Sequence, residues 1–413
     1  MPAKAITSAL PQSIGVGTIV KWLLRLLCFG VLASLLLQLI MQFMVPPPIR
    51  RLQLLRDVAL PSIAISHQSR EQSVHFDRFD FQALDTRTGL LFIAHDGPSA
   101  NKSHEASKLI SASINPSIVI FDARHNKYLA SINGPTVHGI TVASDIHKVY
   151  AADADHQVID VIDEQACQSA INAGQNVCTV AKAIKALQTP DSLEYDLDDH
   201  EVFVSEADKN TPSKSVVDVF DTQTDSIVKT IPVPSILGHV RYDSALHLIF
   251  IVVTTDTGAG NELDAIDPIT NTITLHIALP PTCSNAHGLA IDEAQQVAFV
   301  ACVNSRNLAV VSLRTMKAIG DPNNFLLATK PDIVAIDRTL HILFVGCATG
   351  VSVFDESKAS SGSLKKFNDY LVSTDSSHSI AVDDSNHNLY IPLVDVGNRP
   401  VMRIEHYNSQ GTV

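Results

Sequence analysis

The chain has 413 residues, 46% of them hydrophobic and 18% charged, which excludes wholesale disorder and suits one large domain or two ordinary ones. Its formal charge is −13, and residues 1–45 hold Lys4, Lys21 and Arg25 but no acid, so the remainder carries 43 acids against 27 bases. A body this acidic repels a phosphate backbone over most of its surface, and no nucleic-acid partner is expected.

In chain order, a tail over residues 1–20 is followed by a predicted transmembrane α-helix over 21–45. From Leu26 to Ile49 there are 24 residues without a charge, and about 20 apolar residues span a bilayer as a helix. Trp22 sits where an interfacial anchor belongs. The run is long for a signal peptide and no A-x-A-like cleavage site follows it, so an uncleaved anchor is expected. Pro46, Pro47 and Pro48 end the helix and begin a stem over 46–53. Basic residues flank both ends, so charge barely sets the orientation. The short tail favours a C-terminal body held outside the cytoplasm, periplasmic or extracellular.

Beyond the stem the text repeats. An aromatic residue recurs at Phe92, Tyr150, Phe203, Phe250, Phe299, Phe344 and Tyr390, and seven positions upstream of it stands Asp in every copy except Ala143. Turn residues lie between the two and apolar runs flank them, which reads as strand–turn–strand. A third strand follows, as in VIDVIDE and VDVFDTQT, and several copies show a fourth, as in TITLHIALP. Four short strands per copy, repeated roughly every 45 to 58 residues, describe a propeller blade rather than a helical solenoid. The expected fold is all-β: a seven-bladed β-propeller of four-stranded blades over 54–407, with 408–413 as a tail. The last copy ends after three strands, and 54–62 reads like a fourth, so it is expected to complete that blade and remove the open edge.

His138-Gly139 and Pro190-Asp191 open two copies, and Cys283 and Cys302 flank AHGLAIDEAQQVAFV. In these motifs and in its register the chain resembles the YVTN-repeat (YncE-like) propellers, often described as surface-layer-type or lactonase-like, over roughly residues 50–407. The resemblance implies the fold and leaves the activity to the site. Blade four departs from the pattern, with Gly238-His239 where a Pro-acid pair is expected.

The register also places side chains. The residue five before each repeat position opens the innermost strand at one mouth of the channel, giving Asp80, His138, Asp191, Gly238 with His239, His287, Asp332 and His378. The second strand returns to the same face, where the residue three past the aromatic includes His95, Asp153 and Glu206. The variable connection from second to third strand emerges there too, longest in blade one at 97–115, and variable loops on a rigid scaffold are where binding usually lives. Two readings of this mouth stand side by side. In one, a possible divalent metal is held by three or four of His138, His239, His287 and His378 with Asp191 or Asp332, an imidazole–carboxylate set suited to zinc, iron, nickel or manganese. In the other, each polar residue caps its own turn, and the slots are too widely spread to converge. No cofactor is certain on either reading.

The repeat aspartates (Asp85, Asp196, Asp243, Asp292, Asp337, Asp383) are expected to form side-chain-to-backbone turns at the opposite face. His147, His200, His247, His341 and His387, in the same hairpins, are expected to face solvent. Of six cysteines, Cys283–Cys302 and Cys167–Cys178 make two feasible disulfides, with alpha carbons within the roughly 4.4–6.8 Å a bridge requires. Cys28 and Cys347 are left over. Two such pairs point to an oxidising compartment. No P-loop, H-E-x-x-H or G-x-S-x-G motif is present. The leading expectation is a membrane-anchored extracytoplasmic module that binds a protein or small-molecule ligand. The alternative is a metal-dependent lactonase-type hydrolase, with His138, Asp191, His287, Asp332 and His378 as metal ligands.

Overall fold

The computed structural model describes residues 27, 30, 34, 50–61, 63–67, 70–74, 79–95, 116–134, 136–207, 211–254, 260–373, 378–397 and 399–412. The chain divides into two units, residues 1–51 with 410–413, and residues 52–409. In the first, Leu27, Gly30 and Ser34 are helical. The rest of the predicted membrane segment and residues 46–49 of the stem lie outside the described residues, whereas residues 50–53, expected as stem, belong to the strand Arg50–Ala59. Among the described residues no helix is long and apolar enough to cross a membrane. The long blade-one connection 97–115 also lies outside them.

Residues 52–409 build a seven-bladed β-propeller. The innermost strands are Phe79–Asp85, Val137–Ala143, Thr189–Asp196, Ile236–Asp243, Ala286–Asp292, Pro331–Asp337 and Ala381–Asp383. Each pairs antiparallel with the second strand of its own blade, which carries the repeat aromatic. Second strands such as Val297–Cys302 and Ile342–Cys347 are buried from end to end. They read as continuous apolar runs because neighbouring blades cover both of their faces. Outer strands such as Thr272–Ala278 are mostly exposed. All seven repeat aromatics are fully buried, so the recurring position is the centre of each blade's packing.

The last blade contains Ala381–Asp383, Asn388–Leu393 and Val401–Thr412, and its outermost strand is Arg50–Ala59. Arg403 clamps that strand with two bonds to the Asp57 carboxylate, at 2.8 and 2.7 Å, the bidentate geometry in which an ion pair is strongest. Blade one has a fifth strand that the repeat did not foretell. After the third strand of blade two, the helix α1 (Glu164–Asn172) is capped by Asp163. Val177–Cys178 then pairs in parallel with Ser131 and Ile132 of blade one. A Cys167–Cys178 disulfide, with alpha carbons 5.2 Å apart, ties helix to strand.

The six repeat aspartates are nearly or fully buried. Each accepts a backbone N–H two or three residues on, at 2.8 Å from Arg87 to Asp85 and 2.9 Å from Leu340 to Asp337. The hairpin histidines depart from expectation. His147, His200, His247, His341 and His387 all have a φ between 53° and 59°, and four of them point back into the protein. His387 reaches Asp337 of the preceding blade at 2.7 Å, and His247 reaches Asp199 at 3.0 Å. His341 meets Glu356 at 3.2 Å, and His200 meets the Tyr195 hydroxyl at 2.7 Å. The left-handed backbone aims these rings at neighbouring acids or a hydroxyl, so they latch turns together while each ring stays partly exposed to solvent.

Candidate functional site

In blades one to six the slots five residues before each repeat position lie where the first and second strands lose their regular ladder. Pairing of the first and second strands shifts between Phe79 and Gln82, Val137 and Ile140, Pro190 and Leu193, Leu237 and Val240, Ala286 and Gly288, and Pro331 and Val334. A bulge leaves one or two residues unpaired and re-aims their side chains. In blade four both Gly238 and His239 sit inside it. Glycine has no side chain to present, so the imidazole one residue later takes the channel position.

Glycines then let adjacent blades close on one another. A Cβ built on Gly238 would stand 2.7 Å from the carbonyl oxygen of His287, and one on Gly288 would overlap the carbonyl oxygen of Asp332. Blades four, five and six therefore touch backbone to backbone at the mouth, and three side chains converge. His239 Nε2 lies 3.5 Å from Asp332 Oδ1, and His287 Nε2 lies 3.6 Å from the same oxygen. All three potential ligand atoms are within 4.8 Å of one another. His378 Nδ1 stands 3.9 Å from the other Asp332 oxygen, while its Nε2 donates to the Phe79 carbonyl at 2.6 Å. The expectation of slots too widely spread to converge is corrected here, because bulges and glycines shorten the span.

His239 is 1% exposed. Its ring packs between Phe81, at 4.5 Å, and His287, at 4.9 Å. Phe81 was not singled out from the sequence, although it occupies in blade one the same register position that His239 occupies in blade four. Burial pushes the His239 imidazole down to about 4, against the opposing pull of Asp332. Burial alone would raise the Asp332 carboxyl, but His239, His287 and His378 outweigh it and hold the group well below the usual carboxylate range. A neutral imidazole beside an ionised carboxylate is the protonation state that metal ligands need.

The backbone N–H of Leu289 approaches His239 Nδ1 at 3.3 Å, which places the imidazole proton on Nε2. Coordination through Nε2 would move that proton to Nδ1 and set two N–H groups against each other, costing about 1–3 kcal/mol. Structural zinc supplies about 10 kcal/mol or more at neutral pH. The contact weakens a metal at this position without outweighing it.

The other predicted mouth residues divide. His138 and Asp191 form a separate pair at 3.3 Å, so the five-residue metal set is not a single cluster. Asp80 is buried. His95, Asp153 and Glu206 are each at most 1% exposed, with contacts inside their own blades. His95 stacks edge-on against Phe79, and burial drives its imidazole down to about 3. Asp153 bonds His156 at 2.9 Å. Glu206 accepts the Gln188 N–H at 2.6 Å, and burial, with Asp218 nearby, pushes its carboxyl up to about 8. The second-strand ends are taken inward because neighbouring blades cover that strand along its whole length. Cys283 and Cys302 are joined, with alpha carbons 5.2 Å apart, and hold the start of the His287 strand to its neighbour.

A cavity of about 530 Å³ occupies the channel along the later halves of the innermost strands, away from the three converging side chains. Val334, Ile336 and Ile380 line it together with Glu194 and Arg241, which pair at 3.3 Å.

No protein-family model matches the chain, and no curated protein matches it. Among solved structures, Kuenenia stuttgartiensis hydrazine synthase is similar with a TM-score of 0.58 at 16% identity, covering 83% of this chain and 98% of that one. A functionally unknown protein from Desulfotomaculum acetoxidans DSM 771 is similar with a TM-score of 0.54 at 14% identity, covering 66% and 84%. At such identities the likeness speaks for the fold alone.

Proposed function

We propose that this chain is a ligand-binding β-propeller of the YVTN-repeat type, anchored in a membrane through residues 21–45 and held outside the cytoplasm. The observation that carries the binding role is at the mouth, where His239 Nε2 and Asp332 Oδ1 are buried with no hydrogen-bond partner among the described residues. Folded proteins rarely leave such groups unsatisfied unless a ligand, ion or water completes them. The uncharged run Leu26–Ile49 supports the anchor, and two disulfides support an oxidising compartment. A lactonase-type hydrolase is the second reading, favoured by the same convergence of imidazoles on one carboxylate.

Thermal denaturation of the full chain in detergent tests the binding role, with small carboxylates, amines, sugars and divalent cations added one at a time. A ligand that raises the melting temperature of the wild type but not of a His239→Ala/Asp332→Asn variant supports it. A panel that never distinguishes the two proteins contradicts it. Steady turnover of lactones or esters that is lost in the variant would favour the hydrolase.

A further inference from the structure

Three further groupings of histidine and acids occur in the propeller, centred on His247, His276 and His341. In each, the imidazole already contacts a carboxylate, at 3.0 Å to Asp199, 2.9 Å to Asp264 and 3.2 Å to Glu356. Each of these groupings already holds one short imidazole–carboxylate bond, although Asp196 Oδ2 beside His247 has no partner among the described residues. The mouth grouping differs in separation: 3.5 Å from His239 to Asp332 and 3.6 Å from His287 to Asp332, too long for good hydrogen bonds. Ligand atoms at roughly 2.0–2.2 Å from a tetrahedral metal stand roughly 3.3–3.6 Å apart. Both separations fall at that spacing, and two of the three atoms are buried without a partner among the described residues.

From this we infer that His239, His287 and Asp332 form a binding site for a divalent transition metal, zinc foremost. The inference rests on the mouth being a binding site and specifies what it binds. Two imidazoles and one carboxylate match the donor preference of zinc and leave at least one position open. His378 supports the set from the next blade. Its Nε2–H is held by the Phe79 carbonyl, the lock that fixes an imidazole with Nδ1 facing a metal or its carboxylate. The Cys283–Cys302 bridge and the contact of Gly288 with Asp332 fix the backbone beneath two of the three ligands. The Leu289 N–H facing His239 Nδ1 opposes this ligation, so the expected affinity is weaker than that of a fully supported structural zinc site.

Cobalt(II) titration of the full chain in detergent tests this, because cobalt(II) replaces zinc and its visible absorption reports coordination by nitrogen and oxygen. The expected result is one cobalt(II) per chain, displaced by zinc. Asp332→Asn and His287→Ala should each weaken it at least tenfold, with circular dichroism unchanged, and His125→Ala, at an exposed position elsewhere, should bind like the wild type. If a variant does not fold, the wild-type protein still decides through the imidazole signals of bound cobalt(II), which must come from at least two histidines. Cobalt(II) binding that Asp332→Asn and His287→Ala leave intact, or no binding by the folded wild type, overturns the proposal. If an organic compound meanwhile stabilises the wild type but not the mouth variant, the metal is refuted and the binding module stands.

Discussion

At the scale of single residues, the protein keeps protons where solvent would remove them. Burial pushes Glu206 up to about 8 and Asp160, Glu164, Glu201 and Glu356 up to about 7. Their folded values exceed the unfolded ones, so the stability they contribute is present below the ordinary carboxyl range and is lost as pH rises through 7 to 8. His95 and His239 act in the opposite sense. Their folded values, about 3 and about 4, lie below the ordinary imidazole value, so acid below about pH 6.5 favours the unfolded chain. Five raised carboxyls outnumber two depressed imidazoles, so from the ordinary carboxyl range up to pH 8 stability should fall as pH rises, read as the urea midpoint at pH 5, 6 and 8. Glu206→Gln should flatten the alkaline side, and a midpoint that rises steadily from pH 6 to 8 would contradict these assignments. The slot residues His138, Asp191, His287, Asp332 and His378 were legible in the sequence because the repeat fixes their register. The burial of His95 and Glu206 was not, since a linear pattern cannot say which strand end a neighbouring blade covers. His239 stood one residue out of register, and only a bulge makes that offset equivalent.

At the scale of elements, the strands were plain, because a fully covered second strand must be apolar throughout and an aromatic must fill each blade. The connections were not. The crossing of Val177–Cys178 into blade one depends on a disulfide and a two-residue parallel pairing, too short for any period. The left-handed turn histidines also escaped, since a turn sequence specifies backbone shape and not the carboxylate its ring will meet. The approach of adjacent innermost strands gives the clearest prediction here. A methyl group at position 288 would collide with the Asp332 carbonyl, so Gly288→Ala should cost about 1–3 kcal/mol or more by overpacking. It should also spread the mouth. Chemical denaturation reads the first effect, and a variant as stable as the wild type would show that the blades are not in contact there.

At the scale of the whole molecule, stability depends on a ring whose last sheet is finished from the other end of the propeller. Arg50–Ala59 supplies the outer strand of the seventh blade, and Asp57 is the partner of Arg403. Deleting residues 50–59 would leave Val401–Thr412 as an open edge, with Arg403 stripped of its carboxylate, the kind of edge that pairs with other chains. The deleted protein should aggregate on purification, as gel filtration would show, while a monomeric and cooperatively folding product would mean that closure is dispensable. Sequence could show this closure because the final copy lacks a strand and a matching one precedes the first. It could not show how narrow the channel is at its mouth, which comes from bulges and glycine contacts in three dimensions.

Convergence of three blades on one ligand is tested by histidine-selective ¹⁵N NMR of the full chain with one equivalent of zinc. The Nε2 resonances of His239 and His287 should move together, and Asp332→Asn should abolish the change. A folded protein in which neither resonance moves would contradict it.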